Sequence, residues 1–381
     1  MHRRSSGRPL PSVLAYVLAL VALACQTGCP GRKADPAGTS PARDTARTAP
    51  DAAPPRFEPC ARLAARSDAQ VGPVTLAGVP LVLRGGELRP EEAHGANGPR
   101  RGRLVLGVLA DTREAHPATL ALVDQALRSF QRAQVHAVVV LGGLDASYEG
   151  TLQVLRRLHG RVPLLAQPGD RESRSGFQAA VASLGPGAVD LSVARVLRHP
   201  TATFVGVPGY FLPHHLTARE QGCSYTEADL RSIAALLERE PGPKVLLSYG
   251  PPLGKGPLAV DRAFGGVNIG DPGLTRLLSR ARIRFGLFGH VHEAAGHATT
   301  LDGRPVKPDE WSDSLLLNVG SLDAVPHEEL AGRFSHGTAA IFELAGDRAR
   351  YRLVEFAPPA PPAPPAPPAP PAHPRSEESP P

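Results

Sequence analysis

Arg103-Leu-Val-Leu-Gly-Val-Leu-Ala110 is a nearly unbroken apolar run. A strand with one face in water alternates apolar and polar residues, so this run belongs to a strand covered on both faces. Helices must supply that cover, and helical spacing follows at once in Val123, Ala126, Leu127 and Phe130. His136–Leu141 reads as the next strand, Thr151–Leu158 as the next helix and Val162–Ala166 as a third strand. Two further strands flank Arg198-His-Pro200 and end at Phe204–Pro208. Thr226, with Asp229 three residues on, opens a helix as a capping box, lined by Leu230, Ile233, Ala234 and Leu237. Lys244–Ser248 is a strand, and Asp271-Pro272 starts a helix with an N-cap and proline in its first turn. Ile283–Phe288, Leu315–Asn318, Ala339–Leu344 and Tyr351–Phe356 complete the strands. The alternation predicts an α/β domain that binds ligands where loops leave the carboxyl ends of its strands. Ahead of it, Val74–Ala77 and Pro80–Arg84, before Gly85-Gly86, read as a short hairpin.

Outside that pattern the composition shifts. His2, Arg3, Arg4 and Arg8 precede the apolar stretch Pro11–Ala24, which is shorter than the ~20 residues of a spanning helix. Residues 1–24 therefore read as a signal peptide. Ala22-Leu23-Ala24-Cys25 resembles a bacterial lipobox, which implies acylation of Cys25, with Cys29 the second choice. Gln26 looks like the outer-membrane sorting pattern of Gram-negative lipoproteins. The expectation is an extracytoplasmic protein anchored to a membrane through lipid, on its periplasmic or surface face. Residues 25–56, rich in Pro, Ala, Thr, Asp and Arg, read as a disordered tether. Residues 57–102 form an N-terminal extension to a domain at 103–356. Residues 357–381 read as a Pro-rich disordered tail, whose Ala-Pro-Pro repeat from Ala357 to Ala372 reads as a polyproline II rod, either a spacer or a ligand for a partner protein. If Cys25 is lipidated, Cys29, Cys60 and Cys223 remain, and Cys60–Cys223 is a candidate disulfide that no spacing shows. The net charge of +6 comes from scattered arginines with no basic stripe among aromatics, so nucleic acid is not implied.

Five of the strands end in residues that carry chemistry. They are Asp111-Thr-Arg113, Gly142-Gly-Leu-Asp145, Gly169-Asp-Arg-Glu172, Ser248-Tyr-Gly-Pro-Pro252 and Gly289-His-Val-His292. A strand read with period two would point His290 and His292 to the same side. In order and spacing these blocks resemble the calcineurin-like metallophosphoesterase family, whose pattern is Asp-x-His, Gly-Asp-x-x-Asp, Gly-Asn-His-Asp/Glu, a His before Pro-Pro, and Gly-His-x-His. Asn318-Val-Gly-Ser321, Gly206-Val-Pro-Gly209 and Gly250–Gly254 fit as well. The resemblance, from about Arg103 to Phe356, implies a four-layer α-β-β-α sandwich of two mixed sheets. It also implies two divalent metals about 3.5–4 Å apart that activate a hydroxide.

Carried over residue by residue, Asp111, Asp170, His290 and His292 match metal-ligand positions. Arg113 stands at a ligand His, Gly143 at the metal-bridging Asp and Tyr249 at another ligand His. Arg171 stands at the His that assists the leaving group, which leaves the catalytic group unassigned. Two guanidiniums add repulsion where cations would sit: unit charges 4 Å apart at an effective dielectric near 20 interact by about 4 kcal/mol, and a divalent ion roughly doubles that. The expected cofactor content is none or one divalent metal (Mn, Fe or Zn), not a dimetal centre. Expected instead are Asp–Arg pairs, with Arg113 and Arg171 available to a phosphate or other anionic ligand. The implied function is that of a pseudoenzyme, an anion-binding or scaffold protein. The alternative is a phosphoesterase working with a single metal. Asp145, on flexible Gly142-Gly143, is a substitute ligand, and His214, His215 and His297 are candidates for the pocket mouth.

Overall fold

The computed structural model describes Cys60 and residues 74–91, 102–330 and 332–357. Residues 1–24, the lipidation candidates Cys25 and Cys29, the tether and the Ala-Pro-Pro repeat lie outside the described residues.

Two mixed sheets form the middle of the domain. One contains β4 (Arg103–Leu109), β5 (Ala137–Val140), β6 (Leu164–Ala166) and β7 (Ala188–Asp190), all parallel, with β16 (Thr338–Ala345) and β17 (Arg348–Glu355) added antiparallel beside β4. The other centres on parallel β9 (Thr203–Val207), β10 (Lys244–Ser248), β11 (Phe285–Phe288) and β13 (Leu315–Asn318). β8 (Val196–Arg198) and β12 (Ala298–Thr299) flank those four antiparallel. Ahead of β4, β1 (Val74–Leu76), β2 (Val79–Arg84) and β3 (Glu87–Pro90) extend this second sheet through the β3–β8 pairing. The hairpin expected at 74–84 is β1–β2, and β3 makes it a three-stranded meander.

Between the sheets lies an apolar layer built from both, including Leu106, Val108, Val139, Phe204, Val245, Leu287, Leu317 and Phe342. The opposite face of the first sheet is covered by α1 (Pro117–Arg132), α2 (Tyr148–Leu158) and α3 (Arg174–Ala182). Gly107 is glycine because a Cβ there would lie 2.5 Å from the Phe130 ring of α1. The outer face of the second sheet is covered by α4 (Glu227–Leu237) and α5 (Pro272–Arg280), through Leu230, Ile233, Leu237, Leu274 and Leu277. These are the four layers the resemblance implied. Capping explains the helix starts: Thr226 and Asp229 form both halves of a capping box, and Asp271 accepts from Gly273 N ahead of Pro272. α3 and β7, which periodicity did not reveal, fill the span between Glu172 and Arg195. Cys60 and Cys223 are joined as a disulfide.

Candidate functional site

The expected site residues meet where β4, β5, β6, β10 and β11 end. Asp111 follows β4 and is 1 % exposed. Its Oδ1 accepts from the Tyr249 hydroxyl at 2.7 Å, and its Oδ2 accepts from the backbone N–H of His290 at 2.8 Å. The His292 Nε2 lies 3.4 Å from the same carboxylate. Asp170 follows β6, and His290 Nδ1 stands 3.8 Å from its Oδ2. Both histidines therefore converge on the two aspartates, though not by strand alternation. β11 ends at Phe288, His290 sits at φ +68° and His292 begins a short 3-10 turn. Asp111 (φ +54°) and Arg113 (φ +59°) are also left-handed. Three non-glycine residues in that strained region, at the matched positions, mark a backbone shaped by its site.

The carboxylates are held differently from the expectation of Asp–Arg pairs. Tyr249 and the histidines do that work, because the backbone turns at Asp111 and His290 aim the imidazoles inward. Arg171 instead lies 3.9 Å from Glu114, and its charge acts on Asp170 less than that of His290 does. Arg113 directs its charge at His292 and Asp323. Asp145 is a structural group rather than a spare ligand. It accepts from Ala115 N, Ser147 N and the Ser147 hydroxyl, which locks the entry to α2. His215 packs 6.0 Å from Tyr210 and its charge reaches His290, while His214 stacks on His215 at 4.5 Å. His297 has its Nδ1 3.1 Å from the carbonyl of Ala259, a buried residue of the loop after β10.

Several pocket residues carry no motif. Tyr210, after β9, packs 4.2 Å from the His290 ring. His327 lies 4.7 Å from His292, with its Nε2 3.5 Å from Asp323. Tyr210 directly follows the Gly206-Val-Pro-Gly209 block and was within reach of the sequence; Asp323 sits in a loop with no pattern, and His327 opens β14 (His327–Glu328), which pairs with β15 (Phe334–Ser335) and is too short to read.

Burial and neighbouring charge set the protonation states. Burial raises the Asp111 carboxyl, but His292, Tyr249 and His290 outweigh it and hold it below the ordinary aspartate value. Burial, helped by the charge of Asp111, keeps Asp170 above that value despite His290. Burial lowers His290, whereas Asp111 lifts His292 above an ordinary histidine against its burial. Burial and the two aspartates push Tyr249 far up, so it remains a neutral donor.

A bridging carboxylate at position 143 does not fit this arrangement. A Cβ at Gly143, the first atom of a bridging carboxylate, would collide with Asp111 Oδ1 and come within 2.8 Å of the Tyr249 ring. Tyr249 thus occupies the volume that Gly143 gives up, and its hydroxyl takes a lone pair a metal would need. Among the described residues no group of three or more His, Cys, Asp or Glu side chains is arranged to hold a metal ion. What the pocket does offer is Asp170 Oδ1 and Arg171 Nε, both buried without a hydrogen-bond partner among the described residues.

No family model and no curated protein matches the chain. Solved structures resemble it in fold. One is a Thermus thermophilus protein at 13% identity and TM-score 0.46, covering 66% of this chain and 99% of that one. A dimetal phosphatase of Danio rerio matches at 13% identity and TM-score 0.41, covering 67% and 99%. GAP50, the anchor in the inner membrane complex of Plasmodium, matches at 11% identity and TM-score 0.44, covering 66% and 84%.

Proposed function

We propose that the protein is an extracytoplasmic lipoprotein, anchored through Cys25, whose pocket binds a phosphate-bearing or other anionic ligand without dimetal hydrolysis. The observation that carries this reading is Tyr249, whose ring and hydroxyl stand against Gly143 and Asp111 where a bridging carboxylate and a metal would otherwise meet. Arg113 and Arg171, with His292 raised toward its charged form, supply the positive side of the pocket. The Cys60–Cys223 disulfide agrees with an oxidising compartment. No described helix is long and apolar enough to cross a membrane, so the anchor proposed is the lipid. The Ala-Pro-Pro tail is proposed as a spacer or as the ligand of a partner protein.

A second reading, a phosphoesterase using one divalent metal, is favoured by one observation. Asp170 Oδ1 is buried without a hydrogen-bond partner among the described residues, and His290 Nδ1 stands 3.8 Å from the other oxygen of that carboxylate. One set of measurements decides between the two. The purified chain is expected to carry no stoichiometric Mn, Fe or Zn by elemental analysis. It should bind inorganic phosphate by calorimetry in the presence of chelator, and lose that binding in Arg171→Ala. Two metals per chain would end the proposal. One metal per chain, with Mn-dependent turnover of bis-p-nitrophenyl phosphate abolished by His290→Ala, would establish the second reading.

A further inference from the structure

The segment between β10 and α5 carries an unusual surface. Nine large apolar residues are exposed among the described residues, and five of them fall between Leu253 and Ile269: Leu253, Leu258, Phe264, Val267 and Ile269. Single exposed apolar side chains are ordinary, but five in one loop concentrate apolar surface on it. Phe264 is 50 % exposed and Val267 57 %, on either side of Gly265-Gly266 at the tip.

This loop is built to hold that tip in place. Leu253 N donates to Asp271 O and Asp271 N to Pro251 O, which closes the base. Buried Ala259 and Val260 fasten the middle, the latter through the side-chain amide of Asn318 at 2.8 Å. At the tip Ala263 N donates to Val267 O at 2.8 Å and Gly266 N to Ala263 O at 3.2 Å, while Arg262 bridges to Asn268. Backbone polar groups paired in this way are what entry into an apolar boundary requires.

Charge identifies the occupant. The acid of the loop, Asp261, is fully buried and accepts from Asn268 and Gly270 N. Lys255 and Arg262 remain as cations, Lys255 exposed and Arg262 half-buried against Asn268. We infer that this loop docks on an anionic lipid surface, with Phe264 and Val267 in the headgroup–acyl boundary and Lys255 against the headgroups. A second copy of the chain would bring the same positive charge against it.

The test uses the full chain with its single tryptophan removed, Trp311→Phe, and a new reporter, Phe264→Trp, in vesicles of brominated phosphatidylcholine with phosphatidylglycerol. Quenching of the reporter is expected. It should be lost on Val267→Ser with Ile269→Ser, and weakened by Lys255→Glu and by salt. A reporter at Tyr148→Trp, on α2, should stay unquenched. No quenching at 264, or equal quenching at both positions, overturns the inference. So does a spectral shift at 264 that depends on protein concentration without vesicles. The comparison is between two positions on one chain, so it holds whether or not Cys25 is acylated. Cys25→Ser alters how much chain is bound, not which reporter is quenched.

Discussion

A carboxylate introduced at Gly143 would begin from a Cβ in collision with Asp111 Oδ1, on a backbone at φ +73°. The residue 249 side chain then decides whether the pocket can accept it. Introducing the residues of the pattern the sequence resembles at three positions, Gly143→Asp with Arg113→His and Arg171→His, should therefore fail to load metal while Tyr249 remains. Gly143→Asp alone is expected to destabilise by about 2–4 kcal/mol, from overpacking plus the positive φ. Adding Tyr249→His removes the ring that lies 2.8 Å from the new Cβ, and should recover much of that loss and allow Mn binding. Thermal melting with elemental analysis of the three- and four-substitution chains checks this. Equal metal content in both would show that Tyr249 is not the obstacle. The sequence revealed that Gly143 and Tyr249 depart from the pattern it resembles. It could not reveal that the two departures compensate, because that is a fact about volume between loops 106 residues apart in the chain.

At the scale of elements, what could be read depended on length and on capping. β4, β10, α4 and α5 carry long apolar runs or explicit caps, and the sequence located them closely. α3 is nine residues with Phe177, Ala180 and Val181 as its buried face, too short and too small-sided for a clear period. β7 and β12 have three and two residues, and only their partners in the sheet make them strands. Glu172 shows how the pocket loops depend on one another. Its Oε1 accepts from Leu144 N at 2.7 Å and its Oε2 from Gly169 N at 2.9 Å, tying the loop after β5 to the loop after β6. Burial lifts this carboxyl from 4.5 to about 7. The folded value lies above the unfolded one, so the folded state binds the extra proton between them. Its contribution to stability is complete below about pH 4.5 and is lost as pH rises to about 7. Asp190, raised by burial to about 6, acts in the same direction. The wild type should therefore lose stability from pH 5 to 8 more steeply than Glu172→Gln. The excess is at most roughly 3 kcal/mol. Urea unfolding across that range measures it, and parallel pH profiles would show that Glu172 is ionised throughout.

Across the whole molecule, one covalent link joins the segment ahead of the sheets to the wall of the pocket. Cys60 and Cys223 are 163 residues apart in sequence. Cys60 N donates to Ser224 O, and the buried Arg195 guanidinium holds both Cys60 O and Gly206 O. On the other side Tyr210 N donates to Cys223 O, and the Tyr210 ring packs on His290. The disulfide thus stabilises the fold and also restrains a residue that lines the pocket. Its loss should cost about 2–5 kcal/mol, chiefly by releasing a long loop in the unfolded chain. Cys60→Ser, Cys223→Ser and the double variant should lose the same amount, since removing either sulfur removes the same bond. Wild type in reductant should match them. Phosphate binding should weaken with the link broken, because Tyr210 is then freer to leave His290. Unfolding curves of the three variants, with and without dithiothreitol, read the first effect, and calorimetry with phosphate reads the second. A midpoint unchanged by Cys60→Ser would mean that the bond contributes nothing to stability. Stability lost with phosphate binding intact would mean that the link secures the fold without acting on the pocket.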